Sequence, residues 1–280
     1  MDRPLLDKEQ VALADVPETM LWTLHNRASE AERPDGVLRD ETAIDIYRRI
    51  AYDFGRSFGR AEPSHAVRSA LFDAELRAFL ADHPDGVIVN LGEGLETQRF
   101  RVEGQDALWI AVDVPAAMAV RERFIAPDER HLHVPVSVMD RRWFDAVPRG
   151  RPVYLTAQGL LMYFEPDEVA DLFRDLAQRF PGAWLAFDHI PRWFARKTLR
   201  GYRKTPHYQS PAMPWGIDLD EVAPTLRAWV PDLADVRRLS FGLPRGLPRV
   251  VFGIVTRLPG LRDKVPGCTR VRFGLDREAS

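Results

Sequence analysis

Cysteine is almost missing from this chain: Cys268 stands alone in 280 residues. That count excludes a disulfide framework and a cluster of thiolate metal ligands. Long apolar runs are missing as well, and no stretch reaches the roughly 18 residues of a spanning helix. Charge of one sign is not in excess, since 39 Lys and Arg face 41 Asp and Glu for a net charge of −2. The chain as a whole therefore has no field that draws nucleic acid or a membrane surface. Residues 1–10 are charged and carry no apolar leader segment, so a cytoplasmic protein with neither nucleic-acid nor membrane partners is expected. What is present is a hydrophobic content of 45%, enough for a full core.

The most informative stretch runs from Gly86 to Val114. Residues 87–91 form an apolar, β-branched run that empties into Gly92-Glu93-Gly94, which reads as a buried strand followed by a tight glycine turn. Glycine suits a turn where the backbone bends sharply and leaves room for a ligand. A second apolar run, 107–112, ends in Asp113, which lies 113 − 94 = 19 residues past Gly94. An acid at about that spacing, on the tip of the neighbouring strand, holds ribose hydroxyls. The third glycine of the dinucleotide fingerprint is missing, and Thr97 stands in its place. That disfavours a pyrophosphate ligand, and with it an NAD-dependent oxidoreductase, and leaves room for an adenosine ligand without phosphates.

Before this stretch the periodicity predicts helices over 15–28, 42–50 and 64–80, after a loose lead-in over 1–14. After it come a helix begun by Pro115, a third strand over 131–138, and a short helix capped by Asp140 that carries Trp143 and Phe144. A fourth strand, 153–157, runs into Gln158-Gly159-Leu160-Leu161-Met162-Tyr163. A helix over 166–180 and a fifth strand over 184–187 follow, the latter ending at Asp188 and His189. Strands alternating with helices predict a parallel, doubly wound sheet with its ligand crevice at the carboxyl ends of the strands. Gly92, Asp113, Asp140, Gln158 and Asp188 all fall at such ends. Residues 191–215 change character to basic and aromatic, with Trp193, Tyr202, His207 and Trp215, and suit a lid over an apolar acceptor. A helix over 219–229 and strands over 235–241 and 268–273 complete the chain. His131 and His133 share a face, but no third ligand is in view, so no metal site is expected. One domain is expected over 1–280: a helical preface (1–82), a core (83–190), a lid (191–230) and the C-terminal strands (231–280).

In combination these residues resemble the leucine carboxyl methyltransferase family, and within it a bacterial branch of polyketide carboxyl O-methyltransferases. The matching pieces are Glu18-Thr19 through Arg27-Ala28, Asn90 through Thr97, Val112-Asp113-Val114-Pro115, Asp140 through Trp143, Gln158 through Tyr163, and Phe180-Pro181-Gly182 through Asp188. The resemblance implies an α/β, class I S-adenosyl-L-methionine (SAM)-dependent methyltransferase fold, Rossmann-like. Its seven-stranded sheet has the last strand antiparallel, a helical preface, and a lid insertion after the fifth strand. SAM is the implied cofactor and a small molecule the implied acceptor, while the oligomeric state is not readable.

Site roles follow from the same resemblance. Arg27 pairs with the methionine carboxylate of SAM, Gly92 and Gly94 admit its methionine and ribose part, and Asp113 with Val114 meets the ribose. Met139 and Asp140 border the adenine, and Gln158 faces the methionine ammonium. Two positions depart from the family: Glu96 replaces an aspartate, and Gln158 a glutamate. The acceptor is expected among Trp22, His25, Tyr163, Trp193, Tyr202 and Trp215. If it is a phenol or alcohol it needs a base, for which Tyr163, His189 and His207 are the candidates. A carboxylate acceptor needs none, being ionised at neutral pH. The implied activity is O-methylation of a carboxylate or hydroxyl on a small, aromatic or polyketide-type metabolite. The alternative is a methyltransferase fold repurposed for a non-methylating reaction or for ligand binding.

Overall fold

The computed structural model of the chain describes residues 8–102, 104 and 106–275. Residues 1–7 and 276–280, parts of the expected preface and C-terminal segment, lie outside it. Seven strands form the main sheet: β1 (Val87–Leu91), β2 (Leu108–Asp113), β3 (His131–Pro135), β4 (Val153–Ala157), β5 (Trp184–His189), β6 (Asp235–Leu239) and β7 (Gly267–Arg272). Their order is β6-β7-β5-β4-β1-β2-β3. β7 is antiparallel to both neighbours and the other pairings are parallel, the arrangement expected of the last strand.

The central strands read as unbroken apolar runs because both faces of a parallel sheet are covered; every residue of β1 and β4 is buried. Alternate side chains feed opposite cores. Val87, Val89 and Leu91 join Trp143, Phe173 and Phe187 on one face, while Ile88 joins Phe72, Leu76 and Trp109 on the other. Leu91 stands level with Val112 and with Ala157 across its two neighbours. The loops leaving β1, β2 and β4 therefore open at one edge, where the strand order reverses, and ligands bind there in open α/β sheets.

Four helices precede the sheet: α1 (Asp15–Ala31), α2 (Glu41–Arg49), α3 (Phe54–Phe58) and α4 (Ser64–Asp82). α5 (Gln98–Arg101) and α6 (Pro115–Arg121) flank β2, and α7 (Pro166–Arg179) follows β4. Asp140 caps the short 3-10 helix Arg141–Ala146, its Oδ1 accepting the Arg142 N–H at 3.1 Å. Between β5 and β6 lie α8 (Arg192–Leu199), a hairpin of Arg203–Thr205 with Tyr208–Gln209, and α9 (Leu219–Trp229). This insertion packs down on the preface, with the Tyr208 ring edge-on to Phe58 at 4.8 Å and to Trp22 at 6.2 Å. α10 (Gly246–Val255) links β6 to β7. The periodicity does not show α3 and α5, which span five and four residues, α8 within the basic and aromatic segment, or α10, which carries two glycines and a proline. No helix of the described residues is long and apolar enough to cross a membrane.

Candidate active site

The turn after β1 needs its glycines. Gly92 and Gly94 have φ of 64° and 51°, the left-handed region that other residues avoid. A Cβ on Gly92 would stand 2.7 Å from Leu160 Cδ1, and one on Gly94 2.8 Å from Met20 Cβ. The loop is held from two sides. Asp113 accepts the Gly94 N–H at 2.7 Å on one oxygen and the Val114 N–H at 2.8 Å on the other. Arg121, buried on α6, donates to the carbonyls of Gly94 and Glu96 at 2.8 Å each and pairs with buried Glu93 at 3.0 Å. Burial outweighs those two N–H bonds at Asp113 and raises its carboxyl to about 6.

Between this turn and α1 lies a cavity of about 270 Å³. One wall is made of the ends of β1, β2 and β4, including Gly92, Gly94, Asp113, Val114 and Gln158. The facing wall is a stripe of α1, Val16, Met20 and Thr23, spaced four and three residues apart. Leu160, Tyr163 and Phe164 close a third side, and Ser137 and Val138 the end beyond β3.

Three residues bordering this cavity carry a buried polar atom without a hydrogen-bond partner: Gln158 at Oε1, Arg68 at Nε and Glu93 at Oε2, the last 4.0 Å from His131 Nε2. The Gln158 Nε2 lies 3.5 Å from Gln98 Oε1, which leaves the amide oxygen as the free acceptor. Arg68, on α4, donates from Nη1 to Asp188 at 2.8 Å, and the other Asp188 oxygen accepts the Gly159 N–H at 2.6 Å. One ion pair thus anchors both the cation and the loop that carries Gln158. A guanidinium, a free amide oxygen and a carboxylate at the tip of β2 are together suited to an amino-acid end joined to a ribose.

Several of the expected site residues stand off the cavity wall. Arg27 does not border the cavity. It extends the α1 stripe one turn beyond Thr23, where its Nη1 meets Asp40 at 3.2 Å and Glu96 at 3.0 Å and its Nη2 meets the Leu95 carbonyl at 2.6 Å. Met139 and Asp140 lie just past the wall; Met139 packs against the core and Asp140 is gripped by Arg142, while Ser137 and Val138 line that end of the cavity. Trp22 and His25 turn into the preface, Trp22 against Phe58 and His65, and His25 between Tyr47 and the Gly59 carbonyl. Trp215 is core, packed on Phe187 and Trp229. Trp193 is 48% exposed, and Tyr202 sits against Phe194 with Lys197 over its ring. His207 is exposed at the hairpin turn. His189 is buried beside Thr269 at 3.3 Å, off the cavity wall, and burial lowers it to about 4. Of the three candidate bases only Tyr163 borders the cavity, and burial raises its phenol to about 12, so it stays protonated at neutral pH. Arg68 is the residue that the sequence reading missed. Its signal was a polar set, Arg68-Ser69 and Asp73, at the core spacing of Phe72, Leu76 and Phe79 on α4.

Comparison with known proteins adds three findings. Residues 20–177 match the model of the leucine carboxyl methyltransferase family. The chain is 33% identical over 253 residues to the tetracenomycin polyketide synthesis O-methyltransferase TcmP of Streptomyces glaucescens, covering 85% of this chain and 93% of that one. It is 32% identical over 199 residues to an S-adenosyl-L-methionine-dependent methyltransferase of Gibberella zeae, covering 64% and 66%. Among solved structures, a putative methyltransferase from Thermobifida fusca superposes with a TM-score of 0.53 at 15% identity, over 89% of this chain and 94% of that one, a likeness of fold.

Proposed function

The chain belongs to the leucine carboxyl methyltransferase family, and from that premise we propose that it methylates an oxygen, a carboxylate before a hydroxyl, on a small aromatic or polyketide-type acceptor. It is a SAM-dependent methyltransferase. The residues at the cavity fit that cofactor. Asp113 would accept the ribose hydroxyls, and the bare backbone at Gly92 and Gly94 would lie against the ribose and methionine part. Arg68 would pair with the methionine carboxylate, the role the resemblance gave to Arg27. The free Oε1 of Gln158 would accept from the ammonium.

When bound, SAM supplies an electrophilic methyl group on a sulfonium. The chain's own part is to hold the attacking oxygen within about 3–3.5 Å of that methyl and in line with it, between walls that keep water out. Preference for a carboxylate rests on the ionisable groups of the cavity wall, which are Arg68, Glu93, Glu96, Asp113 and Tyr163 among the described residues. Glu93 and Glu96 are committed to buried ion pairs, Asp113 to the glycine turn, and Tyr163 keeps its proton. No histidine stands on the wall, so no side chain is free to act as base. A carboxylate needs none. The test is methyl transfer from labelled SAM to matched aromatic acids and phenols. Label in a base-labile ester of the acid is expected, and equal or faster transfer to the phenol would overturn the preference.

Two further results are expected. Affinity for S-adenosylhomocysteine should fall as the pH drops below about 6. Ribose hydroxyls donate to the ionised form of Asp113, so binding favours loss of its proton; above its raised value the group is already ionised and affinity is flat. Calorimetry showing constant affinity from about pH 5 to pH 8 would remove Asp113 from the ribose site. Gln158→Glu should tighten binding about tenfold, because a neutral hydrogen bond to the ammonium becomes charge-assisted. Tighter binding with faster methyl transfer supports Gln158 as the partner of the ammonium, whereas no change in either would remove it from that role.

A further inference from the structure

The near-zero net charge hides a strong segregation. Between Asp188 and Asp218 there are six Lys and Arg and no acid, and between Asp235 and Asp263 six Arg and no acid. Removing those 12 cations leaves 27 against 41 acids for the rest of the chain. The same two segments hold most of the exposed large hydrophobic residues of the described chain. Leu247, Val250, Val251, Ile254, Leu258 and Leu261 are 43–74% exposed, and α8 adds Trp193 and Leu199 at 48% and 57%. Positions 247, 250/251 and 254 repeat at three- and four-residue steps, which puts them along one side of α10, and Leu258 and Leu261 are exposed in the turns that follow it.

The stripe is exposed although the segment is tied down. Arg245 pairs with both oxygens of buried Glu30 at 2.7 and 2.8 Å at one end. At the other, the Lys264 carbonyl accepts the Trp193 indole N–H at 2.8 Å, and Lys264 pairs with Asp218. The second tie also sets Trp193 of α8 against the chain that follows α10, and the two segments so joined carry the apolar stripe and the exposed arginines at 196, 200, 249 and 257.

We propose that this surface docks the protein on an anionic lipid bilayer, with the aliphatic side chains of the α10 segment entering the headgroup region and the flanking arginines meeting lipid phosphates. A helix with an apolar stripe and basic flanks lies in such an interface, and long cationic side chains reach back to the charged layer. Indole rings favour the same depth. A second copy of the chain is a poorer occupant, because a two-fold contact centred on α10 would bring Arg249 of one copy toward Arg257 of the other. A nucleic acid would leave the central aliphatic side chains without a partner, since its backbone binds charge and its bases favour aromatic platforms.

None of these residues borders the cavity, so the surface can be tested apart from the cofactor site. The whole protein is sedimented with phosphatidylcholine vesicles, with and without about a third phosphatidylglycerol, alongside the triple variant Leu247→Ser, Val251→Ser, Ile254→Ser. Expected are binding to the anionic vesicles only, at least about tenfold weaker binding by the variant, and unchanged affinity of the variant for S-adenosylhomocysteine, which certifies its fold. Absence of binding to anionic vesicles overturns the proposal, as does equal binding by the variant. Equal affinity of the wild type for single-stranded RNA shows a general polyanion surface and overturns it as well. A dimer seen by sedimentation velocity and lost in the variant reassigns the stripe to self-association. If the variant loses S-adenosylhomocysteine binding, Leu247→Lys alone, at the most exposed position, is carried through the same series.

Discussion

Arg68→Met is expected to weaken S-adenosylhomocysteine binding on the order of 100-fold by calorimetry, the size of a lost charge-assisted pair in a dry site. Two effects add in the same direction. The cation facing the carboxylate of the ligand is gone, and Asp188, which Arg68 meets at 2.8 Å, is left as an unpaired carboxylate beside the cavity. Because Asp188 also fixes the Gly159 N–H, the loop bearing Gln158 loses half of its anchor. Arg68→Lys should recover part of the affinity, since it keeps the charge but not the fork geometry. A melting curve separates loss of ligand from loss of fold, because a folded protein that binds poorly is the expected outcome. Wild-type affinity in a folded Arg68→Met protein would sink the assignment and return the carboxylate to another cation.

Arg68 and Arg27 also mark what was legible in the sequence. The glycine turn, Asp113 and Gln158 were readable because parallel strands put their carboxyl ends level, so a residue's place along its own strand fixes its place at the crevice. The strands themselves were readable as apolar runs, since both faces are covered. Helical residues are different. Whether Arg27 continues a cavity-facing stripe or overshoots it depends on where α2 and α5 deliver Asp40 and Glu96, 13 and 69 residues away in the chain. Arg68 was hidden because polar residues on the inner face of α4 make the helix look amphipathic with the wrong face inward: Val67 and Leu71 are only partly buried, while Arg68, Ser69 and Asp73 are buried. The lid aromatics were legible as a cluster but not as to direction, and most of them serve the packing of the insertion on the preface and core. Whole-chain charge is silent in a similar way, because an average says nothing about where the cations stand.

Arg27→Met is expected to do the reverse of Arg68→Met: affinity stays within about tenfold, while the folded state loses roughly 3–5 kcal/mol, the usual cost of removing one member of a buried ion pair. Arg27 and Arg101 share the carboxylates of Asp40 and Glu96, and Arg101 also reaches Asp73 at 2.8 Å. Without Arg27, three buried acids lean on one guanidinium, and the Thr97 hydroxyl and Leu95 carbonyl lose a donor. A fall in Tm of about 10 °C follows from that loss for a chain of this size. Acid unfolding should shift too. Burial by itself would raise the Glu96 carboxyl, but Arg101 and then Arg27 hold it well below the ordinary value. A group depressed in the folded state contributes stability above its unfolded value, and that contribution fades as the pH falls through the folded one. Removing Arg27 moves the folded value up, so the variant should begin to unfold at a higher pH than the wild type. If instead Arg27→Met melts like the wild type and fails to bind S-adenosylhomocysteine, Arg27 is the cofactor clamp after all, and the buried network beside Glu96 is held by Arg101 alone.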